Sequence, residues 1–187
     1  MIFQVLENQL SAWISAFNSG SQEPEKLFRV IGERCPKVSI QLVDLGMVPG
    51  LRYLELATVN AIKSFHSKQP IAKTLSMELL LYISAEKQIA RALKRVGVTT
   101  ETRRVAGVAV GSSRDVSEAA RFLSVTLGQD SDDRLLDEWS RQRIENVRSG
   151  FDIGDKELEA IIQPNETETM AVERLAVERS AMLATKK

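Results

Sequence analysis

One histidine, His66, and one cysteine, Cys35, are present in the 187-residue chain. Brought together by the fold, they could form a thiolate–imidazole pair, in which a neighbouring base activates a sulfur nucleophile. Their settings point elsewhere. Cys35 ends an amphipathic segment, where a packed thiol is the ordinary use of cysteine. His66 has no carboxylate at helical spacing and so lacks the companion ligands a metal needs. "GVAVGSS", residues 107–113, has neither the GxxxxGK[ST] spacing nor a lysine to reach phosphates, and reads as a buried strand ending at a turn. The carboxylate pairs Asp132–Asp133 and Asp137–Glu138 lie in polar sequence, where nothing would drive their pKa values apart. No catalytic residue, metal ligand or cofactor is expected.

The basic residues carry more information. Within "MELLLYISAEKQIARALKRVGV", residues 77–98, Lys87, Arg91, Lys94 and Arg95 fall at i, i+4, i+7 and i+8. On one continuous helix they would share a face opposite Ile89, Leu93 and Val96. Lys68 and Lys73 lie upstream, and Arg103 and Arg104 downstream. Residues 68–104 hold eight Lys/Arg against three Asp/Glu, whereas residues 130–168 hold five against twelve. Two readings stay open: two solvated faces of opposite sign, or one surface turned to a polyanion, releasing counterions on binding. Aromatic residues are few and the nearest, Phe65, belongs to a buried stripe, so a broad base-stacking platform is not expected.

These side chains need elements to position them. "MIFQVLEN" and "LSAWISAFN" read as a hairpin, with a helix over Leu10 to Phe17 as the rival. Pro24 suits the first turn of a helix running to Arg34, and Pro36 stops it. "KVSIQLVDL" is a strand. A helix over Leu51 to Ser67 carries Leu54, Ala57, Ala61, Ile62 and Phe65 on its apolar stripe. After the loop "HSKQPIAKT", the apolar run predicts a strand over Met77 to Ile83. Ser84 would then N-cap a helix over Ala85 to Val96, and Gly97 would end it in a left-handed cap. A strand over Val105 to Val110 follows, then an amphipathic helix ending at Gly128 and a mixed helical stretch over residues 132–150. "GDKELEAII" gives a short helix. Asn165 and Glu168 have capping-box spacing ahead of a final helix. Its stripe of Val172, Leu175, Ala176, Met182 and Leu183 would serve either the core or a partner groove.

The sum is a single α+β domain over residues 1–187: a mixed β-sheet covered by helices, with a C-terminal amphipathic helix. The chain is 43% hydrophobic and 27% charged with a formal net charge of zero, an ordinary globular balance. One cysteine allows no internal disulfide and suits a reducing compartment. The apolar runs fall short of the roughly 20 residues that span a bilayer. The start does not look like a signal peptide, so a cytoplasmic location and no membrane partner are expected.

The stretch from "GMVPGLRYLELATVNAIKSFHSKQPIAKTLS" through "MELLLYISAEKQIARALKRVGV" resembles the small KEOPS-complex subunits, the PRPK-binding protein family, and most closely their archaeal members. Glu78, Tyr82, Ser84, Gln88, Ile89, Ala92 and Gly97 carry the likeness; "FDIGDKELEAI" and "VERLAVERSAML" resemble later family blocks. The resemblance implies an α/β protein that is not itself a catalyst and that binds the kinase-like ATPase subunit of KEOPS. That complex makes N6-threonylcarbamoyladenosine in tRNAs that read codons beginning with A. Archaeal members are also thought to recruit tRNA by its 3′ CCA end, through the loop that here reads "SKQPIAKTL". By that match Lys68, Ile71, Lys73 and Thr74 would contact tRNA, with Lys63 and Arg91 as additions. Pro70 stands where relatives often carry Asn, and Tyr53 where many carry His. On the final helix, Leu175, Met182 and Leu183 are the candidates for the kinase-subunit interface. The alternative is a regulatory interaction subunit without tRNA affinity of its own.

Overall fold

A computed structural model describes residues 2–5, 10–18, 23–67, 70–127 and 131–185. The order is β1 (Ile2–Val5), β2 (Leu10–Asn18), α1 (Pro24–Arg34), β3 (Ser39–Asp44), a 3-10 turn (Leu45–Met47), α2 (Leu51–Phe65), α3 (Leu75–Ser84) and α4 (Ile89–Val96). Then come β4 (Arg104–Gly111), α5 (Ser113–Thr126), α6 (Arg134–Asp137), α7 (Arg141–Gly150), α8 (Asp155–Ile161) and α9 (Glu168–Thr185). The α+β class holds.

The strands lie in the order β1-β2-β4-β3, and every pairing is antiparallel, where a mixed sheet was expected. The hairpin reading of the first two strands is correct and the rival helix is not formed. β2 and β4 pair from Ser11 opposite Gly111 to Asn18 opposite Arg104. Both faces of the sheet are covered, which is why the central strands read as near-continuous apolar runs. Trp13, Phe17, Ile40, Leu42, Val105 and Ala109 pack under α1 and α5, with Leu27, Ile31, Val116, Ala119 and Leu123 above them. The other face, with Ile14, Val43 and Val108, joins a larger core built on α2, α3 and α9.

Several local expectations fail around α3. Residues 77–83 form a helix, not a strand. Leu79, Leu80, Leu81, Tyr82 and Ile83 are all buried to within 1% of complete burial, so the helix is apolar on every side and shows no period. Thr74 caps its start, accepting the Met77 amide at 3.3 Å. Ser84 is therefore the last residue of α3 rather than the cap of the next helix. The chain leaves α3 through Ala85 in the left-handed region (φ 54°), with the Glu86 amide bonded back to the Leu81 carbonyl at 3.0 Å.

This exit delays α4. It begins at Ile89, so Lys87 lies outside it and the four-cation face is broken. Ala92 and Val96 face inward, while Ile89 and Leu93, expected to be buried, are 42% and 48% exposed. Gly97 is extended (φ −66°, ψ 145°), not left-handed. It is glycine for space: a Cβ there would lie 2.3 Å from the Leu93 carbonyl oxygen, beside the bridge from Gly97 to Val43 of β3.

Other details differ less. The stretch over 132–150 is two short helices, α6 and α7, and the expected helix end at Gly128 lies outside the described residues. The Asn165–Glu168 capping box is not formed. Asn165 is left-handed (φ 74°), and Thr167 Oγ1 accepts the Met170 amide at 3.3 Å in its place. In α9, Val172, Leu175, Ala176 and Leu183 are buried as expected, but Met182 is 46% exposed.

Candidate functional site

The loop between α2 and α3 is built around one acid. Glu78 sits in the first turn of α3 and is fully buried. Its Oε1 accepts the Ser64 hydroxyl at 2.6 Å and the Ile71 amide at 3.3 Å, and its Oε2 accepts the Ala72 amide at 2.6 Å. A carboxylate removed from water needs such donors. They come from the last turn of α2 and from the loop, so one side chain joins three segments. Ser64 also lies beside the buried Tyr82 phenol, whose pKa burial pushes up.

Most of the expected tRNA residues gather at this end of α3. Lys63 is exposed next to Ser64; Ile71 is half-buried against the core; Lys73 and Thr74 are exposed. Thr74 has a structural duty as well, since its hydroxyl oxygen caps α3. The 71 and 72 amides point inward to Glu78, so this stretch of loop offers a ligand its side chains rather than those amides. Lys68 lies outside the described residues. Arg91 is exposed on α4, which attaches at the opposite, C-terminal end of α3, so the structure does not bring it to the loop.

The other expected cations are partly engaged. Arg95 is half-buried: it donates to the Ser84 carbonyl and to Glu86 Oε1, each at 2.6 Å, and stacks 5.6 Å from the Phe151 ring centre. Arg104 pairs with Glu138 at 3.4 Å. Arg91, Lys94 and Arg103 remain exposed.

Tyr53, which the resemblance marks as a departure, is fully buried in α2. Its hydroxyl donates to the Ile83 carbonyl at 2.8 Å, with the Tyr82 carbonyl at 3.2 Å, and Ser180 of α9 donates to that Tyr82 carbonyl at 2.8 Å. It fastens the C-terminal end of α3 to α2. Tyr53→Phe should lower the unfolding free energy by about 1–2 kcal/mol, measured by urea denaturation, because it removes the hydroxyl donor to the Ile83 carbonyl, while the Tyr82 carbonyl keeps Ser180.

The N-terminus of α2 is held by distant acids. Glu173 of α9 accepts the Tyr53 amide at 3.1 Å, and Asp137 accepts the Leu51 amide at 3.2 Å. Burial, more than the hydrogen bond opposing it, raises the Glu173 pKa. A carboxyl whose pKa is raised on folding favours the folded state while protonated, and that contribution is lost as pH rises through the folded pKa. Glu173→Gln should therefore gain stability relative to wild type as pH rises from below the ordinary glutamate range to neutrality. Thermal melts across that range test it; a difference that does not change with pH would refute it.

Of the residues expected at the kinase-subunit interface, Leu175 and Leu183 are buried within the chain itself, at 2% and 6% exposure. Met182 alone is open. It lines a shallow depression with Ala85, Glu86, Arg95, Phe151 and Arg179.

Sequence reasoning missed two buried charges. Glu78 had a signal, an acid opening an otherwise apolar run. Arg143 had none, standing in a polar stretch that looked solvated. Cys35 and His66 do not meet. The thiol packs beneath α1 on one face of the sheet, its pKa raised chiefly by burial. His66 closes α2 on the other, with Nδ1 2.9 Å from the Ile62 carbonyl. Among the described residues no His, Cys, Asp and Glu side chains gather as metal ligands, and no helix is long and apolar enough to cross a membrane.

No curated protein matches the chain. A family model described as kinase binding protein CGI-121 matches residues 20–183, from the segment before α1 to the last turns of α9. With most of its length covered by that match, the chain belongs to the CGI-121 family of kinase-binding proteins.

Proposed function

We propose that this protein is a non-catalytic, cytoplasmic subunit of a KEOPS complex. It binds the kinase-like ATPase subunit and recruits tRNA by the 3′ CCA end, supporting N6-threonylcarbamoyladenosine formation. The kinase-binding part rests on the family. The tRNA part rests on one observation above the others: the α2–α3 loop is clamped from below by Glu78 while Lys63, Lys73 and Thr74 stand exposed around a half-buried Ile71. An unpaired RNA end suits such a surface, because its bases are accessible to apolar contact and its phosphates to lysine, without any duplex to melt.

A second reading is a regulatory subunit of the ATPase without tRNA affinity. It is favoured by the inward amides at 71 and 72 and by the use of the Thr74 hydroxyl as a cap, which leave the loop fewer polar groups for RNA. Binding of intact tRNA and of tRNA lacking CCA, at two salt concentrations, separates the two. Preference for the intact end, weakening with salt, supports recruitment. Equal binding to both removes the CCA role, and binding to neither favours the regulatory subunit. Co-purification with the kinase-like subunit tests the shared part.

A further inference from the structure

We propose that Glu78 is the positioning residue of the RNA-binding loop: it sets the loop's affinity for a single-stranded RNA end from inside the protein, without touching the RNA. The inference rests on the tRNA reading above.

α3 is apolar on all sides, and a leucine at position 78 would extend its packing without the cost of burying a carboxylate. The acid present there instead supplies what the loop lacks. Residues 71–74 form neither helix nor strand, and the amides of Ile71 and Ala72 need acceptors. Glu78 provides them, one oxygen to each. The Ser64 hydroxyl, at 2.6 Å from the oxygen that serves Ile71, fixes the carboxylate against the end of α2. The consequence for binding is geometric. With the backbone held inward at two successive residues, Ile71 lies against the core and Lys73 projects into solvent beside the α3 cap. A loop released from Glu78 would have to be ordered by the RNA itself, and that ordering would be subtracted from affinity.

Glu78→Gln is the test. The amide keeps one acceptor oxygen but turns an N–H₂ donor toward groups that themselves donate. Three quantities are measured: hydrogen exchange at the Ile71 and Ala72 amides, affinity for CCA-ended tRNA, and affinity for the kinase-like subunit. Exchange at both amides should quicken about tenfold. The tRNA affinity should fall about tenfold, while kinase-subunit affinity holds. Ser64→Ala removes one of the three donors and should move the same readouts in the same direction by less. It carries the test if the Glu78 variant does not fold.

Faster exchange with unchanged tRNA affinity, in either variant, overturns the proposal, as does unchanged exchange in both. Equal weakening of both ligands would make Glu78 a general stabiliser of the fold and also overturn it. If wild-type protein binds no tRNA, the recruitment reading has failed. Quickened exchange in the variant would then still establish the clamp, so the two failures are distinguishable.

Discussion

Arg143→Met should cost about 3 kcal/mol of unfolding free energy, a large share of the 5–15 kcal/mol typical of a domain. Arg143 is 5% exposed. Its Nε donates to the Val48 carbonyl at 3.1 Å, Nη1 to those of Leu135 at 3.1 Å and Glu138 at 2.7 Å, and Nη2 to that of Leu136 at 2.8 Å. The guanidinium also lies 5.0 Å from the Trp139 ring centre. Four carbonyls from two segments thus converge on one planar donor. Burial draws its pKa down to about 10, so the group is still charged at neutral pH. Methionine matches much of the stem but donates nothing, leaving α6's final carbonyls and Val48 without their partner. For a chain of this length the melting temperature should fall by roughly 6–12 °C. Lysine should recover only part of the loss, because a point ammonium cannot span the same fork. Urea and thermal denaturation check this; wild-type midpoints for Arg143→Met would show that water replaces the guanidinium at little cost.

The second large effect concerns RNA. Ile71→Glu should weaken CCA-ended tRNA about 10- to 100-fold, the range expected when one base loses its apolar seat. The new carboxylate would also stand close to incoming phosphates and to Glu78. Ile71→Ala, which adds no charge, should fall between variant and wild type, and binding of the kinase-like subunit should be unaffected by either. Lys63→Glu combined with Lys73→Glu probes a different term. If each lysine neutralises one phosphate, the slope of log affinity against log salt should lose about 0.7 per lysine. Filter binding or fluorescence titration at several salt concentrations gives both numbers. Wild-type affinity for Ile71→Glu would remove Ile71 from the site, and an unchanged salt slope would remove the lysines.

How far these sites could be read from sequence depended on where each signal resides. β2, β3 and β4 were legible because β-branched and aromatic residues cluster between clear breaks. α1 was legible because Pro24 and Pro36 mark both its ends. α3 was not. A helix buried on every side has no polar face to set a period, so "MELLLYI" looks like a buried strand. That single misreading carried forward. It moved the start of α4, joined Lys87 to a face it does not share, and placed Ile89 and Leu93 inside. The loop was correctly located because it lies between these elements whichever form α3 takes. Of the charges that organise the interior, Glu78 left only the hint of an acid opening an apolar run, whereas Arg143 was beyond local reading, since its burial is decided by residues far away in the chain: Val48 accepts from an arginine 95 positions later. The same applies to Leu175 and Leu183, whose stripe would look alike on a core helix and on a docking helix.

The way the layers are threaded also orders their assembly. α2 and α3 are separated by nine residues and α3 and α4 by four, so their packing closes only short loops. The central strands are another matter: Ser11 of β2 must find Gly111 of β4, 100 positions later in a chain of 187. Short-range contacts form with little loss of chain entropy, whereas such distant pairing is slow. Topology therefore predicts that the α2–α4 unit forms ahead of the β2–β4 pairing, with the loop that Glu78 holds completed in its earliest part.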